Sequence, residues 1–129
     1  MSSNRERAWI ASATRVRENA VCNRSGFAVG ASLEAADGTL FTGCNVENST
    51  YGLTVCAERV AVWKALSEGV RRFTGIAVVT GASEPTPPCG ACRQILWEFA
   101  GDIPVVMATT GGTTKRRKLS ELFPEPFEF

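Results

Sequence analysis

Three cysteines stand at spacings that could bind a metal ion. One motif spans residues 56–59 and reads Cys-Ala-Glu-Arg, and a second spans residues 88–92 and reads Pro-Cys-Gly-Ala-Cys. A C-x-x-C pair in the first turn of a helix points both sulfurs the same way and can hold one tetrahedral ion. Helix starts also favour thiolate over thiol, because they present free N–H groups and partial positive charge. Cys56, Cys89 and Cys92 are therefore predicted to bind zinc and to leave its fourth position open, as in a catalytic site.

Glu58 and Arg59 extend this metal motif towards hydrolytic chemistry. Zinc lowers the pKa of bound water from about 15.7 towards about 7, although three thiolates oppose this by making the site negative. Arg59 could restore the acidity by donating a hydrogen bond to a thiolate. Glu58 lies two residues after the first ligand, can face the open position, and could carry a proton from the water to a substrate. The pattern predicts metal-assisted hydrolysis.

Other interpretations of these cysteines stay open. The C-x-x-C pair could be a redox dithiol, but Glu58 and the third cysteine would then have no role. Cys44 could complete a structural four-cysteine site, although it stands in a strand-like segment where a free cysteine is commonly core filler, and Cys22 has the same simple interpretation. The chain has no histidine, which excludes serine–histidine and cysteine–histidine nucleophiles and any imidazole ligand.

Length and composition favour one soluble globular domain. The chain has 129 residues, of which 44% are hydrophobic and 21% charged, so we treat residues 1–129 as a single globular domain. A net charge of +1 argues against a nucleic-acid partner, and the basic run 115–118 is interpreted as a solvated loop. No apolar run is long enough to span a membrane and the N-terminus lacks a signal-peptide core, so a cytoplasmic, reducing location is expected. In such a compartment, clustered cysteines indicate metal binding or catalysis more than disulfides.

The elements that must position the cysteines follow from apolar periodicity. Helices are predicted over residues 4–20, 55–68 and 89–100, with a short helix near 119–122. Strands are predicted over residues 27–35, 40–46, 76–80 and 104–109, the first two joined by a turn at Asp37-Gly38. An antiparallel hairpin followed by alternating helices and strands predicts an α/β fold with a mixed sheet between helices on both faces. Both cysteine motifs then lie at helix starts.

Four segments together resemble the cytidine deaminase family in its small bacterial form. They read Phe-Ala-Val-Gly-Ala at 27–31, Cys-Asn-Val-Glu-Asn at 44–48, Tyr-Gly-Leu-Thr-Val-Cys-Ala-Glu-Arg at 51–59 and Pro-Cys-Gly-Ala-Cys-Arg-Gln at 88–94. The resemblance implies a three-layer α-β-α sandwich with a mixed sheet of about five strands. It also implies hydrolysis of cytidine and deoxycytidine to uridine and deoxyuridine plus ammonia, through zinc-bound hydroxide and Glu58 as proton shuttle. One zinc per chain on the three cysteines would be the only cofactor.

The resemblance also assigns residues around the substrate, a pyrimidine nucleoside. Asn45 and Glu47 are similar to a pair that holds the ribose 3′-hydroxyl, and Phe27 to a ring stacked on the base. The backbone of Ala57 would contact the amide-like edge of the base. Arg59 resembles an arginine that donates to zinc-bound thiolates, and Gln94 occupies a further family position near the site.

Assembly and substrate choice are implied less directly. The small form of the family is typically a homotetramer with shared active sites, in which a C-terminal phenylalanine reaches a neighbour's site; Phe127 fits best and Phe129 is the other candidate. The family usually has Pro-Tyr-Ser where this chain has Asn-Arg-Ser at 23–25. That difference keeps open a deaminase of another aminopyrimidine nucleoside or of a nucleoside antibiotic. A non-catalytic zinc module and an RNA-editing protein are further alternatives. Pyrimidine salvage is the role that the resemblance implies.

Overall fold

The computed structural model describes residues 3–128, in which five strands and four α-helices follow one another along the chain. The helices are α1 (Asn4–Arg17), α2 (Ala57–Ser67), α3 (Gly90–Ala100) and α4 (Leu119–Leu122), with a 3₁₀ turn at Tyr51–Leu53. The strands are β1 (Val29–Ala35), β2 (Leu40–Cys44), β3 (Phe73–Thr80), β4 (Pro104–Thr109) and β5 (Thr114–Lys118).

The five strands form one mixed sheet in the order β2-β1-β3-β4-β5. Strands β3 and β4 are parallel and are connected through α3, whereas the other neighbouring pairs are antiparallel. The β1–β2 hairpin turns at Asp37-Gly38, where Gly38 has a φ of 92° that a glycine adopts without strain. The prediction of a mixed sheet of about five strands is confirmed.

Helices cover both faces of the sheet, so the predicted three-layer α-β-α arrangement is confirmed. Alternation along β3 shows the layers: Ala77 packs with Trp9 of α1, whereas Ile76 belongs to the core beneath α2 and α3. This period-two pattern is what a strand buried on both faces produces. Among residues 3–128, no helix is both long and apolar enough to cross a bilayer.

Helix α1 is fixed to the sheet by a buried carboxylate on β1. Glu34 accepts hydrogen bonds from Trp9 Nε1 at 3.0 Å, from Thr74 Oγ1 at 2.6 Å and from Arg5 Nε at 3.1 Å. Burial raises the pKa of Glu34, but these three donors outweigh it and hold the pKa at about 2. A carboxylate with this many donors is stabilised in its charged form inside the fold.

Several element bounds and one loop assignment from the sequence were wrong. Strand β3, for example, begins at Phe73 rather than at residue 76. Helix α1 ends at Arg17 rather than at residue 20, because residues 18–20 donate to carbonyls three positions back and so form a tighter turn. The basic run 115–118 is not a loop: it belongs to β5, which pairs antiparallel with β4 at the sheet edge. Its side chains are mostly exposed on both faces, so no apolar alternation marks it, and edge lysines and arginines discourage pairing with another chain.

Candidate active site

The three predicted ligands meet where α2 and α3 begin. Cys56 is the N-cap of α2, Cys89 is the N-cap of α3, and Cys92 lies in the first turn of α3. The Sγ atoms of Cys56 and Cys89 are 3.8 Å apart, and all three sulfurs lie within 4.8 Å of one another. Tetrahedral zinc with Zn–S bonds near 2.3 Å requires sulfurs about 3.8 Å apart. The three cysteines therefore fit a zinc ion, and neither Cys22 nor Cys44 belongs to the group.

The charge state of the sulfurs also calls for a cation. A hydrogen bond from Cys92, followed by hydrogen bonds from Arg59 and Cys89, lowers the pKa of Cys56 to about 5. The same Cys56 contact, together with burial, raises the pKa of Cys92. The cluster thus favours one thiolate and keeps a proton on its neighbour. A divalent cation would replace that proton and allow all three sulfurs to bind as thiolates.

Arg59 lies where the sequence placed it. Its Nη2 donates to Cys56 Sγ at 3.3 Å, and this hydrogen bond raises the pKa of the guanidinium above its usual value. The guanidinium also lies 6.0 Å from the centre of the Trp63 ring, within the range of a cation–π contact. Arg59 therefore supplies positive charge beside Cys56, a predicted metal ligand.

Glu58 is buried beside the sulfurs, with 5% of its surface exposed. Burial, and to a lesser extent the negative charge of Cys56, raises the pKa of Glu58 to about 7, against opposing contributions from its own backbone N–H and Arg59. A carboxyl group that exchanges a proton near neutral pH suits a general acid and base. The carboxyl group reaches a cavity next to Cys56 and Cys89.

That cavity has a volume of about 250 Å³. Its wall includes Phe27, Asn45, Glu47 and Ala57, so the structure brings the predicted substrate residues together with Glu58. The exposed surface of the wall is mostly apolar, and Phe27 is 39% exposed. An apolar slot with a few polar groups suits a flat heterocycle that carries a hydroxylated sugar.

An isolated antiparallel β-bridge links the segment that carries Asn45 and Glu47 to the segment that carries Cys56. Val46 and Val55 exchange two backbone hydrogen bonds of 3.0 Å in an antiparallel bridge. Their neighbours Asn45 and Cys56 are therefore adjacent across the bridge. The polar pair of Asn45 and Glu47 is held in register with the metal ligand by the backbone itself.

Asn45 and Glu47 are already part of a dense hydrogen-bond network. Asn45 Oδ1 accepts from Val29 N at 2.9 Å, and its Nδ2 donates to Phe27 O at 2.9 Å and to Glu47 Oε2 at 3.4 Å. Hydrogen bonds from Ser25, first from its hydroxyl and then from its backbone N–H, lower the pKa of Glu47. Glu47 therefore remains a carboxylate, which can only accept hydrogen bonds.

Gln94 and Phe127 lie apart from this cavity. Gln94 Nε2 donates to the backbone carbonyl of Phe127 at 3.1 Å, and both residues line a second cavity of about 440 Å³ with Trp97 and Glu98. The Phe127 side chain is 68% exposed and does not line the cavity of its own chain. Phe129, the other candidate, lies outside the described residues.

Two features of the cavity were missed in the sequence. Thr80 and Thr86, whose hydroxyl oxygens are 3.1 Å apart, both line it, as does Ser25. No local pattern marks the threonines, because they approach each other only through the turn after β3.

Arg24 does not line the cavity: its Nη2 donates to Ser49 Oγ at 2.7 Å and its guanidinium lies 5.9 Å from the centre of the Tyr51 ring.

Comparisons with known proteins agree with this geometry. The sequence profile described as "Cytidine and deoxycytidylate deaminase zinc-binding region" matches residues 3–109. A cytidine deaminase of Sporosarcina psychrophila is 46% identical over 119 residues, which cover 92% of this chain and 88% of that protein. A crystal structure of cytidine deaminase from Burkholderia pseudomallei superposes with a TM-score of 0.92 at 42% identity, covering 98% of this chain and 100% of that one. The cytidine deaminase structure from Mycobacterium tuberculosis gives 0.84 at 36% identity, covering 99% and 100%.

Proposed function

The chain belongs to the cytidine and deoxycytidylate deaminase family, and we propose that it hydrolyses the exocyclic C–N bond of cytidine and deoxycytidine, releasing ammonia. The family, the zinc cofactor and the deaminase activity predicted from sequence are confirmed by this membership. The observation that carries the mechanism is the meeting of three sulfurs within 4.8 Å beside the buried carboxyl of Glu58. A redox dithiol would leave Glu58 without a function.

One zinc ion per chain would be held by Cys56, Cys89 and Cys92. When bound, zinc lowers the pKa of water and supplies the nucleophile near neutral pH. Arg59 offsets the negative charge that three thiolates bring to the ion, because it donates to Cys56 Sγ at 3.3 Å.

Glu58 moves the protons of the reaction. One proton of the attacking water passes through its carboxylate to N3 of the pyrimidine, and the second passes to the departing amino group. Water thus adds its oxygen at C4, the C4–N bond breaks, and uridine and ammonia leave with every proton accounted for. Burial keeps the pKa of Glu58 near 7, where giving and accepting a proton are both accessible.

The cavity wall orients the nucleoside. Phe27 offers its ring to the base and the backbone of Ala57 its hydrogen-bonding groups. The contact between Asn45 Nδ2 and Glu47 Oε2 is long, at 3.4 Å. A ribose hydroxyl between them would accept from the amide and donate to the carboxylate, which gives two shorter bonds in place of one weak one. The same pair would accept cytidine and deoxycytidine, because it needs only the 3′-hydroxyl.

We propose further that the chain forms a homotetramer with shared sites. Gln94 holds the backbone of Phe127 on α3 while the Phe127 side chain stays 68% exposed, as a residue that enters a neighbour's site would be. Phe129 stays the alternative. We also propose that the single domain acts on a small nucleoside in cytoplasmic pyrimidine salvage, without nucleic-acid or membrane partners. The net charge of +1 supports the absence of a nucleic-acid partner.

Ammonia release from cytidine by the zinc-loaded chain tests this function. Glu58→Gln should bind zinc as the wild type does and lose roughly 10²- to 10⁴-fold in kcat, the range for removing a general acid–base. Glu68→Gln, an exposed change at the end of the same helix, is the matched control and should keep full activity. If the zinc-loaded wild type leaves cytidine untouched but consumes another aminopyrimidine nucleoside, the substrate assignment is wrong.

A further inference from the structure

The hydroxyl of Ser25 links two residues of the substrate cavity. Ser25 Oγ donates to Glu47 Oε2 at 2.5 Å and accepts from Phe27 N at 3.0 Å. Ser25 N also donates to Glu47 Oε1 at 2.9 Å, so one residue contacts both carboxylate oxygens. It lies in the turn between α1 and β1, which Gly26 N closes on Cys22 O at 2.8 Å. This turn therefore contacts the carboxylate of Glu47, which lies 22 positions further along the chain, after β2.

The two oxygens of Glu47 are not equivalent. Oε1 accepts from the backbone N–H groups of Arg24 and Ser25, both at 2.9 Å, and two donors occupy both of its lone pairs. Oε2 accepts the short bond from Ser25 Oγ, whereas its contact with Asn45 Nδ2 is long at 3.4 Å. Oε2 is therefore the oxygen with room for another strong donor, and Glu47 lines the cavity.

We propose that Ser25 is a positioning residue for recognition of the ribose. Its hydroxyl sets the rotation of the Glu47 carboxylate so that Oε2 presents its remaining acceptor position to the 3′-hydroxyl of the nucleoside. The same hydroxyl fixes the Phe27 backbone, so the ring that faces the base and the carboxylate that faces the sugar are held at one spacing. This inference rests on the proposed function of Glu47 and adds a residue to it.

Without the Ser25 hydroxyl, the carboxylate loses its shortest donor and can turn towards water. Oε1 would keep its two backbone donors, so the loss concerns orientation more than charge. A substrate that carries the 3′-hydroxyl should then bind less well, whereas one that lacks it has nothing to lose. Hydrolysis at C4, which releases the amino group as ammonia, takes place at the other end of the cavity, and its rate should change little.

The test compares Ser25→Ala, Ser25→Thr and Ser49→Ala on cytidine and on 3′-deoxycytidine, with zinc content measured for each variant. Ser49 is the matched control, because its hydroxyl accepts from Arg24 Nη2 and does not contact Glu47. Ser25→Ala should lower kcat/KM on cytidine by about tenfold, mainly through KM, and by less than about twofold on 3′-deoxycytidine. Ser25→Thr keeps a hydroxyl and should recover most of the loss, and Ser49→Ala should match wild type on both substrates.

Equal losses on the two substrates would mean that the hydroxyl serves only the local fold, and no loss on either would mean that it does not orient Glu47; each result overturns the inference. If Ser25→Ala does not fold, Ser25→Cys gives the same comparison with a weaker donor of similar size. Failure of the proposed function appears instead in the wild type. A wild type that is inactive on cytidine, or that does not distinguish the two substrates, removes the role of Glu47 and the inference with it.

Discussion

Gly43 controls how closely the start of α2 approaches the sheet. It lies in β2, directly beneath the first turn of α2, which carries Glu58 and follows the predicted ligand Cys56. A Cβ atom added at Gly43 would lie 2.4 Å from Ala57 O and 2.6 Å from Ala61 N. Both are backbone atoms, so no side-chain rotation can relieve the overlap. Gly43→Ala should therefore move the helix start itself.

The size of that movement follows from the contact distances. Cβ atoms essentially never come within 3.0 Å of another heavy atom, and ordinary contact begins near 3.4 Å, so α2 must retreat by 0.6–1.0 Å. Overpacking of this kind costs about 1–3 kcal/mol in the free energy of unfolding. A displacement near 1 Å between catalytic groups and substrate costs about 10²-fold in rate. Gly43→Ala should lower kcat/KM by about two orders of magnitude and weaken zinc retention.

The assay measures ammonia release from cytidine, zinc bound per chain, and the free energy of unfolding in urea. Gly52→Ala is the control, because a Cβ there meets nothing within 4 Å. That variant should stay within about 0.5 kcal/mol of wild type and keep its activity. If Gly43→Ala instead retains full activity and zinc, then α2 can shift without disturbing the site, and the reasoning that ties the site to this close approach is wrong.

Three further predictions follow from contacts elsewhere in the fold. Because its donors hold the pKa of Glu34 at about 2, below the usual 4.5, its carboxylate stabilises the fold fully above about pH 4.5 and loses this contribution as the pH falls towards 2. In urea, the free energy of unfolding of Glu34→Gln should thus be lower than that of wild type by up to about 3 kcal/mol at pH 7 and by less at pH 3. An equal difference at both pH values would contradict this. Ser32→Ala removes a buried hydroxyl that has no partner in the described structure, so the free energy of unfolding should stay equal or rise by about 1 kcal/mol; a clear decrease would reveal an unrecognised partner. Arg59→Met removes the donor to Cys56 Sγ and should weaken zinc retention against a chelator by about 10- to 100-fold, with unchanged retention as the contrary result and Arg59→Lys as the charged comparison.

The parts of the site that could be predicted from sequence are those encoded by local motifs. Cys56, Glu58 and Arg59 occupy one helix start, and Cys89 and Cys92 another, so their spacing along the chain already determines which way they point. The apolar periodicity of the surrounding segments also predicts the helices to which those starts belong. Long-range folding was needed only to bring the two motifs together.

The parts that could not be predicted depend on contacts between distant segments. The hydrogen bond between Ser25 and Glu47 joins two loops, and no sequence pattern around either residue predicts this contact. The hydrogen bond from Gln94 to the backbone carbonyl of Phe127 could not be predicted either, because it depends on the path of the chain after α4. Strand β5 was missed for a different reason: an edge strand with charged side chains on both faces lacks the apolar alternation by which strands are detected.

Residues 23–25 read Asn-Arg-Ser where the family usually has Pro-Tyr-Ser, and in this structure Arg24 contacts a neighbouring loop rather than the substrate cavity. Arg24 presents its backbone N–H to Glu47 but sends its guanidinium away from the cavity, to Ser49 Oγ and the Tyr51 ring. Those two residues belong to the loop that leaves Glu47 and returns to Cys56, and the Val46–Val55 bridge closes that loop. The bridge therefore contributes to the spacing between Glu47, which we propose binds the sugar, and Cys56, the predicted metal ligand, and Arg24 supports the loop from outside. Replacing Arg24 with another side chain should alter the stability of this loop before it alters which base is deaminated, because the atoms that face the base come from other residues.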